Sequence, residues 1–157
     1  MGRPLREFQF KDLCQNVDPS ILSGKIVFKN SDGVSISFDD SIVSDEKIIL
    51  LEIDASNMAK LTTGQFILLH ALKDFPAANC YNLVHGKEVV FFVIHCYGSS
   101  KKKNKFNAER TQKNFKLINN LGFQPIRCGS IHIEDFINQN FTSKLDMIQF
   151  ITNNIIE

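Results

Sequence analysis

The sequence predicts an α/β fold: a central mixed sheet that includes an antiparallel hairpin, flanked by helices, with extra C-terminal helices. Segments with helical periodicity alternate with segments typical of strands, which is the pattern of a layered α/β domain. The run KIILLEID at Lys47–Asp54 is almost continuously apolar, as in a strand buried on both faces. With 157 residues, a single domain (1–157) is expected. Its core would cover about 4–130, followed by a C-terminal helical extension at about 131–157.

The first half of the chain begins with a helix predicted at about residues 4–16, where apolar residues recur at helical spacing. A β-hairpin follows, because alternating apolar residues lie on both sides of the turn signal at 30–33, Asn-Ser-Asp-Gly. After the strand at 47–54, a helix is expected to begin near Thr62 and to end before Pro76.

The second half begins with two strands, predicted at 80–84 and 87–96 on either side of a turn. An amphipathic helix is predicted at 107–121, and a short strand within QPIRCGSI follows it. The tail is expected to form two helices, a short one near 132–139 and a longer one near 142–155.

Composition excludes several classes of protein. The chain has 18 Lys and Arg against 17 Asp and Glu, so net charge indicates no partner. It has neither the roughly 18-residue apolar stretch of a membrane span nor the apolar run of a signal peptide. We therefore expect a cytoplasmic protein with no membrane partner, whose four cysteines are free thiols. Nucleotide-binding glycine motifs are absent, so no nucleotide cofactor is expected, and the histidines lack ligand spacing.

Carboxylates at strand ends are the strongest candidates for chemistry. Asp39 and Asp40 end the hairpin, while Glu52 and Asp54 end the next strand and share one face of it. If these strands pair, Asp39 or Asp40 lies near Glu52. Converging carboxylates suit Mg²⁺ or Mn²⁺, although acids at strand ends are often merely solvated. Because Glu52 follows four apolar residues, its charge needs a partner, and we predict Asp40 (or Asp39), Glu52 and Asp54 as metal ligands.

The order of these motifs resembles the core of the PD-(D/E)XK nuclease superfamily, which has the restriction-endonuclease-like fold. The resemblance rests on FDD, then EID after eleven intervening residues, a helix opening LTTGQ and the strand EVVFFVIHC, within roughly residues 4–97. It implies an endonuclease that cleaves DNA phosphodiester bonds with Mg²⁺ or Mn²⁺ as cofactor. By this resemblance Asp40 (or Asp39) would match the single aspartate of the family, and Glu52 the acid of the (D/E)XK motif.

The same resemblance implies roles on the two helices. Gln65 would match a polar residue of the helix after the motif, and Glu7 an acid of the first helix. The lysine position of the motif is occupied by Asp54, so Lys60 is the best candidate for a migrated lysine and Lys47 a poorer one. The predicted catalytic residues are Asp40, Glu52, Asp54, Lys60 and Gln65.

A cluster of basic residues between 99 and 116 is the second functional candidate. Seven basic residues against Glu109 leave a local charge of +6 there. Such a cluster can contact the phosphate backbone of DNA, although many charge runs are only solvated faces. The predicted DNA-binding residues are Lys101, Lys102, Lys103, Lys105, Arg110 and Lys113, and Lys116 belongs to the same cluster.

Three functions remain open from the sequence. The first is a metal-dependent DNA nuclease. The second is a non-catalytic nucleic-acid-binding or protein-binding module on the same fold, possible as a homodimer through its apolar C-terminal helices. The third is an unrelated α/β protein whose strand-end acids are incidental.

Overall fold

A computed structural model describes residues 5–55, 59–96 and 102–156, and their side chains except at 5–7 and 102–108. The helices are α1 (Leu5–Val17), α2 (Ala59–Leu72), α3 (Tyr81–Val84), α4 (Lys102–Asn119), α5 (Ile133–Ile137) and α6 (Lys144–Asn153). The strands are β1 (Ile26–Lys29), β2 (Ser35–Phe38), β3 (Asp40–Val43), β4 (Lys47–Asp54), β5 (Glu88–His95), β6 (Cys128–His132) and β7 (Ile155–Ile156).

The main sheet has five strands in the order β3-β4-β5-β6-β7. Its three central strands, β4, β5 and β6, are parallel, and an antiparallel strand flanks them on each side. Parallel neighbours need long crossovers, which α2 and α4 provide. Strands β1 and β2 form a separate two-stranded hairpin. The predicted fold class, a mixed sheet flanked by helices, is therefore confirmed.

Both faces of the main sheet are covered, which explains the continuous apolar run of β4. Ile48 and Leu50 belong to a core that includes buried residues of α2, α4 and the hairpin. Ile49 and Leu51 point to the opposite face and belong to a second core with α1, α5 and α6. We call these the α2/α4 face and the α1/α6 face of the sheet. Successive strand residues alternate between them.

The pairing of the hairpin with β4, which the sequence left as a condition, is not formed. Strand β2 pairs with β1 alone, and the chain then leaves the hairpin at Asp39 before β3 begins at Asp40. It is β3 that pairs with β4, antiparallel, with Asp40 opposite Leu51. Asp40 therefore begins a strand instead of ending one.

Other boundaries also differ from the prediction. The segment predicted as a strand at 80–84 is the short helix α3, because four or five residues carry too little periodicity to separate the two states. Helix α2 begins at Ala59, and the hydroxyls of Thr62 and Thr63 donate to the Ala59 carbonyl within the helix instead of capping its start. The chain end forms β7, where the longer tail helix was expected to continue.

The C-terminal helices belong to the domain core. Phe136, Met147 and Ile151 are fully buried in the second core, and the ring of Phe136 lies 5.1 Å from that of Phe10 on α1. The apolar face that suggested a homodimer through these helices is thus covered within the chain. Leu145, 76% exposed, is an exception on α6.

Gly129 of β6 lies where the C-terminal end of the chain packs closely on the sheet. A Cβ atom at this position would lie 2.3 Å from the backbone oxygen of Asn154 and 3.0 Å from the Phe92 ring. Gly129→Ala is expected to destabilise the fold by about 2 kcal/mol or more, because the obstacle includes backbone. Urea unfolding followed by circular dichroism measures the change.

Gly64→Ala is the matched control. Gly64 lies inside α2, and a Cβ there meets nothing within 4 Å. The same substitution should stabilise the fold by about 0.5–1 kcal/mol, since alanine favours a helix interior. A Gly129→Ala protein as stable as the wild type would contradict the packing described for β6 and β7.

Candidate functional site

Buried polar side chains gather at the carboxyl ends of the three parallel strands. Asp54 of β4, His95 of β5 and His132 of β6 are register partners, and each is at most 8% exposed. Register partners share a face of the sheet, here the α2/α4 face. Ser130 of β6 and Thr111 of α4 are also buried. Ligand sites in α/β proteins favour this end of a parallel sheet, so we take it as the candidate site.

Glu52 is the least satisfied acid at this end of the sheet. It precedes Asp54 by two residues on the same face of β4 and is partly buried. The side chain of Gln65 and the backbone amide of Asp39 hydrogen-bond to its carboxylate. Its Oε2 atom is buried and has no hydrogen-bond partner among the described residues. Burial first, and then the charge of Asp39, raise the pKa of Glu52 to about 7.

Asp39 is the second acid of this pair. Its Oδ2 accepts a hydrogen bond of 2.8 Å from the amide of Ile53, the residue that follows Glu52. The backbone amide of Asp39 in turn donates a hydrogen bond to the Glu52 carboxylate. These two hydrogen bonds join β4 to the chain at the point where it leaves β2 and enters β3. Two like charges held in this way repel each other, and a cation would relieve the repulsion.

Asp40 was predicted to join Glu52, and the structure corrects this choice in favour of Asp39. Asp40 is opposite Leu51 in the sheet, so its side chain lies on the α1/α6 face, away from Glu52. Its Oδ1 accepts bonds of 2.9 Å from the amides of Gly24 and Ser41. The sheet separates the side chain of Asp40 from that of Glu52. Asp40 therefore accepts hydrogen bonds from nearby backbone amides and cannot share a metal ion with Glu52.

Asp54 was predicted as a metal ligand, and it is instead engaged with a histidine. Its Oδ2 lies 3.1 Å from Nδ1 of His95, and the two side chains are 8% and 1% exposed. Among the described residues, no group of three or more His, Cys, Asp or Glu side chains is arranged to hold a metal ion. Any cation site here therefore rests on Glu52 and Asp39.

Neither of the two lysines considered for a catalytic role forms an ion pair with Glu52 among the described residues. Lys47 is at the opposite end of β4, about 23 Å from Asp54 at the usual rise per residue, and its Nζ donates to Thr152. Its candidacy is therefore wrong. Lys60 is exposed in the first turn of α2. Among the described residues no ion pair joins Lys60 to Glu52 or Asp39.

The predicted basic cluster is only partly described. Lys101 lies outside the described residues, as do the side chains of Lys102, Lys103 and Lys105, and that of Glu7 on α1. Arg110, Lys113 and Lys116 are exposed at three-residue spacing on α4, and we call them the α4 basic strip. The buried side chains Thr111, Phe115 and Ile118 form the other side of the helix. The basic strip therefore faces away from the core.

Sequence reasoning gave no role to His95, His132 or Ser130. No ligand spacing connects them, because they meet only through the register of neighbouring strands. One signal was available: β4 and β5 are both apolar runs that end in a polar residue, Asp54 and His95. His132 also caps a helix, since its Nδ1 accepts from the amide of Glu134 at the start of α5.

Two comparisons with known proteins found no match. No protein-family model matches the chain, and no curated protein matches it either. The described residues contain no helix of sufficient length and apolar character to cross a membrane.

The raised pKa of Glu52 predicts how stability depends on pH. The folded protein holds this proton up to about pH 7, whereas the ordinary value of 4.5 applies to the unfolded chain. Folding therefore favours the protonated form of Glu52. The loss of folding stability caused by its ionisation grows as pH rises from 4.5 to 7 and stays constant above pH 7. Glu52→Gln should remove a penalty of about 3 kcal/mol at pH 8 and much less at pH 5. Thermal unfolding at both pH values measures the difference.

Glu46→Gln is the matched control, because Glu46 is an exposed glutamate just before β4. Its melting temperature should stay within about 1 °C of wild type at both pH values, as for most surface substitutions. If Glu52→Gln changes stability equally at pH 5 and pH 8, the repulsion between Glu52 and Asp39 is not as described.

Proposed function

We propose that this protein is a metal-dependent nuclease that cleaves DNA phosphodiester bonds, with Glu52 and Asp39 holding Mg²⁺ or Mn²⁺. The single observation that carries the proposal is the arrangement of these two acids. They lie together at the carboxyl end of the parallel strands, and Oε2 of Glu52 has no hydrogen-bond partner among the described residues. Two neighbouring carboxylates of this kind can bind a divalent cation.

The donor set fits a hard cation. Mg²⁺ is usually held by one or two carboxylates, and water and substrate phosphate complete its shell. Gln65 supports this role because its side chain bonds to the Glu52 carboxylate and holds it in place. The amide of Ile53 does the same for Asp39. When bound, such an ion polarises a phosphoryl oxygen and lowers the pKa of a coordinated water.

The order of the elements supports the resemblance to PD-(D/E)XK nucleases. That core has a helix, an antiparallel hairpin, a strand with the acidic motif, a helix and a further strand. Here α1, the hairpin β1–β2, the motif strand β4, α2 and β5 follow in that order, with β3 inserted before β4. Strand β5 is parallel to β4 because α2 crosses between them.

The α4 basic strip supports DNA as the substrate. Helix α4 follows β5, so its N-terminus lies at the carboxyl end of the sheet, and Gln112, near the middle of the helix, donates to the Ser130 carbonyl. Arg110, the member of the strip nearest that end, can contact a phosphate on the metal-site side, and Lys113 and Lys116 continue the strip toward the opposite end of the sheet. Contacts of this kind orient the backbone without reading sequence.

The four cysteines support the proposal of a reducing, cytoplasmic location. All four are buried free thiols: Cys14, Cys80, Cys96 and Cys128. Burial raises the pKa of Cys14 and of Cys128 to about 12, so both remain protonated and unreactive at neutral pH. They behave as small apolar core residues.

A non-catalytic DNA-binding module is the second candidate. The specific observation in its favour is Asp54, which occupies the lysine position of the motif and contacts His95 at 3.1 Å. Since Lys60 makes no ion pair with Glu52 or Asp39 among the described residues, the positive charge that usually assists the attack on phosphate has no described substitute. This candidate predicts DNA binding without cleavage.

Metal binding is tested first by thermal unfolding at pH 8 with increasing MnCl₂. Wild-type protein and Glu46→Gln should be stabilised by about 3 °C or more at saturation, because the ion binds only the folded site. Glu52→Gln should show no shift. An equal shift in all three proteins would mean that Mn²⁺ binds elsewhere.

Cleavage is tested with supercoiled plasmid and branched DNA in the presence of Mg²⁺ or Mn²⁺. The nuclease proposal expects nicking that EDTA abolishes and that falls at least 100-fold in Glu52→Gln but persists in Glu46→Gln. Intact DNA combined with a retarded band in a gel-shift experiment would favour the non-catalytic module instead.

The α4 basic strip is tested by the salt dependence of DNA binding. Arg110→Gln/Lys113→Gln should weaken binding and reduce the slope of log K against log salt by about 2, since each lost phosphate contact removes about 0.9. Lys25→Gln/Lys29→Gln removes the same charge from exposed positions on and beside β1 and is the control. If the control changes the slope as much as the α4 variant, the strip has no specific role.

A further inference from the structure

A cleft at the opposite end of the sheet lies outside the candidate metal site. It has a volume of about 430 Å³, which is in the range of small-molecule sites. The end of α2, helix α3, the start of β5 and the segment before β6 surround it. Because β5 is eight residues long, the cleft lies about 20 Å or more from the carboxyl end of the sheet.

One wall of the cleft is aromatic. The rings of Tyr81 and His85 stack with centroids 4.7 Å apart and planes only 18° from parallel. Both residues line the cleft, and Tyr81 is 47% exposed. The buried side chains of Val84 and Ile126 supply apolar lining beside this platform. A flat aromatic ligand can therefore stack on Tyr81 and cover apolar surface.

The charged residues of the lining are the cations Lys73, Lys87 and Arg127 and the acids Asp74 and Glu88. Arg127 bonds through Nη1 to Oε1 of Glu88 at 3.1 Å, and its side chain is 43% exposed. Its guanidinium has five N–H donors, so this contact leaves donors for an anion. Lys73 lies 3.5 Å from the Gln124 side-chain oxygen, and both line the cleft. The carboxylate of Glu88 and the Gln124 amide can pair with the edge of a base.

From this combination we infer that the cleft binds a nucleobase carrying a phosphate, with the base stacked on Tyr81 and the phosphate held by Arg127 and Lys73. Aromatic stacking suits any base, because every base has a π-face, and a guanidinium matches the geometry of phosphate. The ligand is either a free nucleoside monophosphate or the end of a nucleic-acid strand, since both present this chemistry.

Binding at this cleft does not depend on the proposed metal site. No residue of the pair Glu52 and Asp39 lines it, and its ligand contacts need no divalent cation. Failure of this inference and failure of the nuclease proposal are therefore distinguishable, because Glu52→Gln in EDTA should bind the nucleotide like wild type.

The experiment is calorimetric titration of AMP, adenosine and a 5′-phosphorylated oligo-dA into the 157-residue protein in EDTA. AMP should bind at least 10-fold more tightly than adenosine. Tyr81→Leu and Arg127→Gln should each raise the Kd for AMP at least 10-fold, whereas Tyr81→Phe, which keeps the ring, should change it less than 3-fold. Lys29→Gln, at an exposed lysine of β1 outside the cleft, is the charge control and should leave it unchanged.

The outcomes separate the two sources of the ligand. AMP binding that both cleft variants weaken supports a free nucleotide, and binding of the oligonucleotide alone, weakened by the same variants, supports a strand end. No binding of either ligand, or binding that neither cleft variant weakens, overturns the inference. Circular dichroism confirms that each variant is folded, and because Tyr81 and Arg127 are exposed, these substitutions should leave the fold intact.

Discussion

The parallel pairing of β4, β5 and β6 is the constraint on which the candidate site depends. Apolar residues of these strands are buried on both faces by two separate cores. A slip of one residue would move every side chain to the other face, so burial fixes the register. That register places Asp54, His95 and His132 side by side at the carboxyl end of the sheet. The polar cluster is thus a consequence of apolar packing further down the strands.

Because of this register, the two carboxylates of β4, Glu52 and Asp54, have different environments. Asp54 lies beside His95, which satisfies it inside the protein. Glu52, two residues earlier, lies beside Asp39, and burial together with this like charge raises its pKa to about 7. A buried acid next to another acid costs stability unless a proton or a cation neutralises it. This difference is the physical basis for proposing Glu52 and Asp39, and not Asp54, as the metal site.

Local sequence patterns predicted correctly those elements in which burial requires a regular arrangement of apolar residues. The bounds of β4 were predicted correctly because a strand covered on both faces must be apolar throughout. The segment at 80–84 was assigned wrongly, since a helix of one turn and a short strand have the same pattern. The break at Asp39 was missed because it depends on hydrogen bonds to Glu52 and Ile53, which lie on another strand.

The sequence alone determined the α/β class and the acidic residues at the strand ends, because these follow from local patterning and residue chemistry. Only the tertiary structure decided which acid accompanies Glu52, that His95 pairs with Asp54, and that the C-terminal helices cover the sheet. The physical reason is that strand pairing and the choice of sheet face are set by contacts between residues far apart in the chain. Such contacts leave no periodic trace in the sequence of either partner.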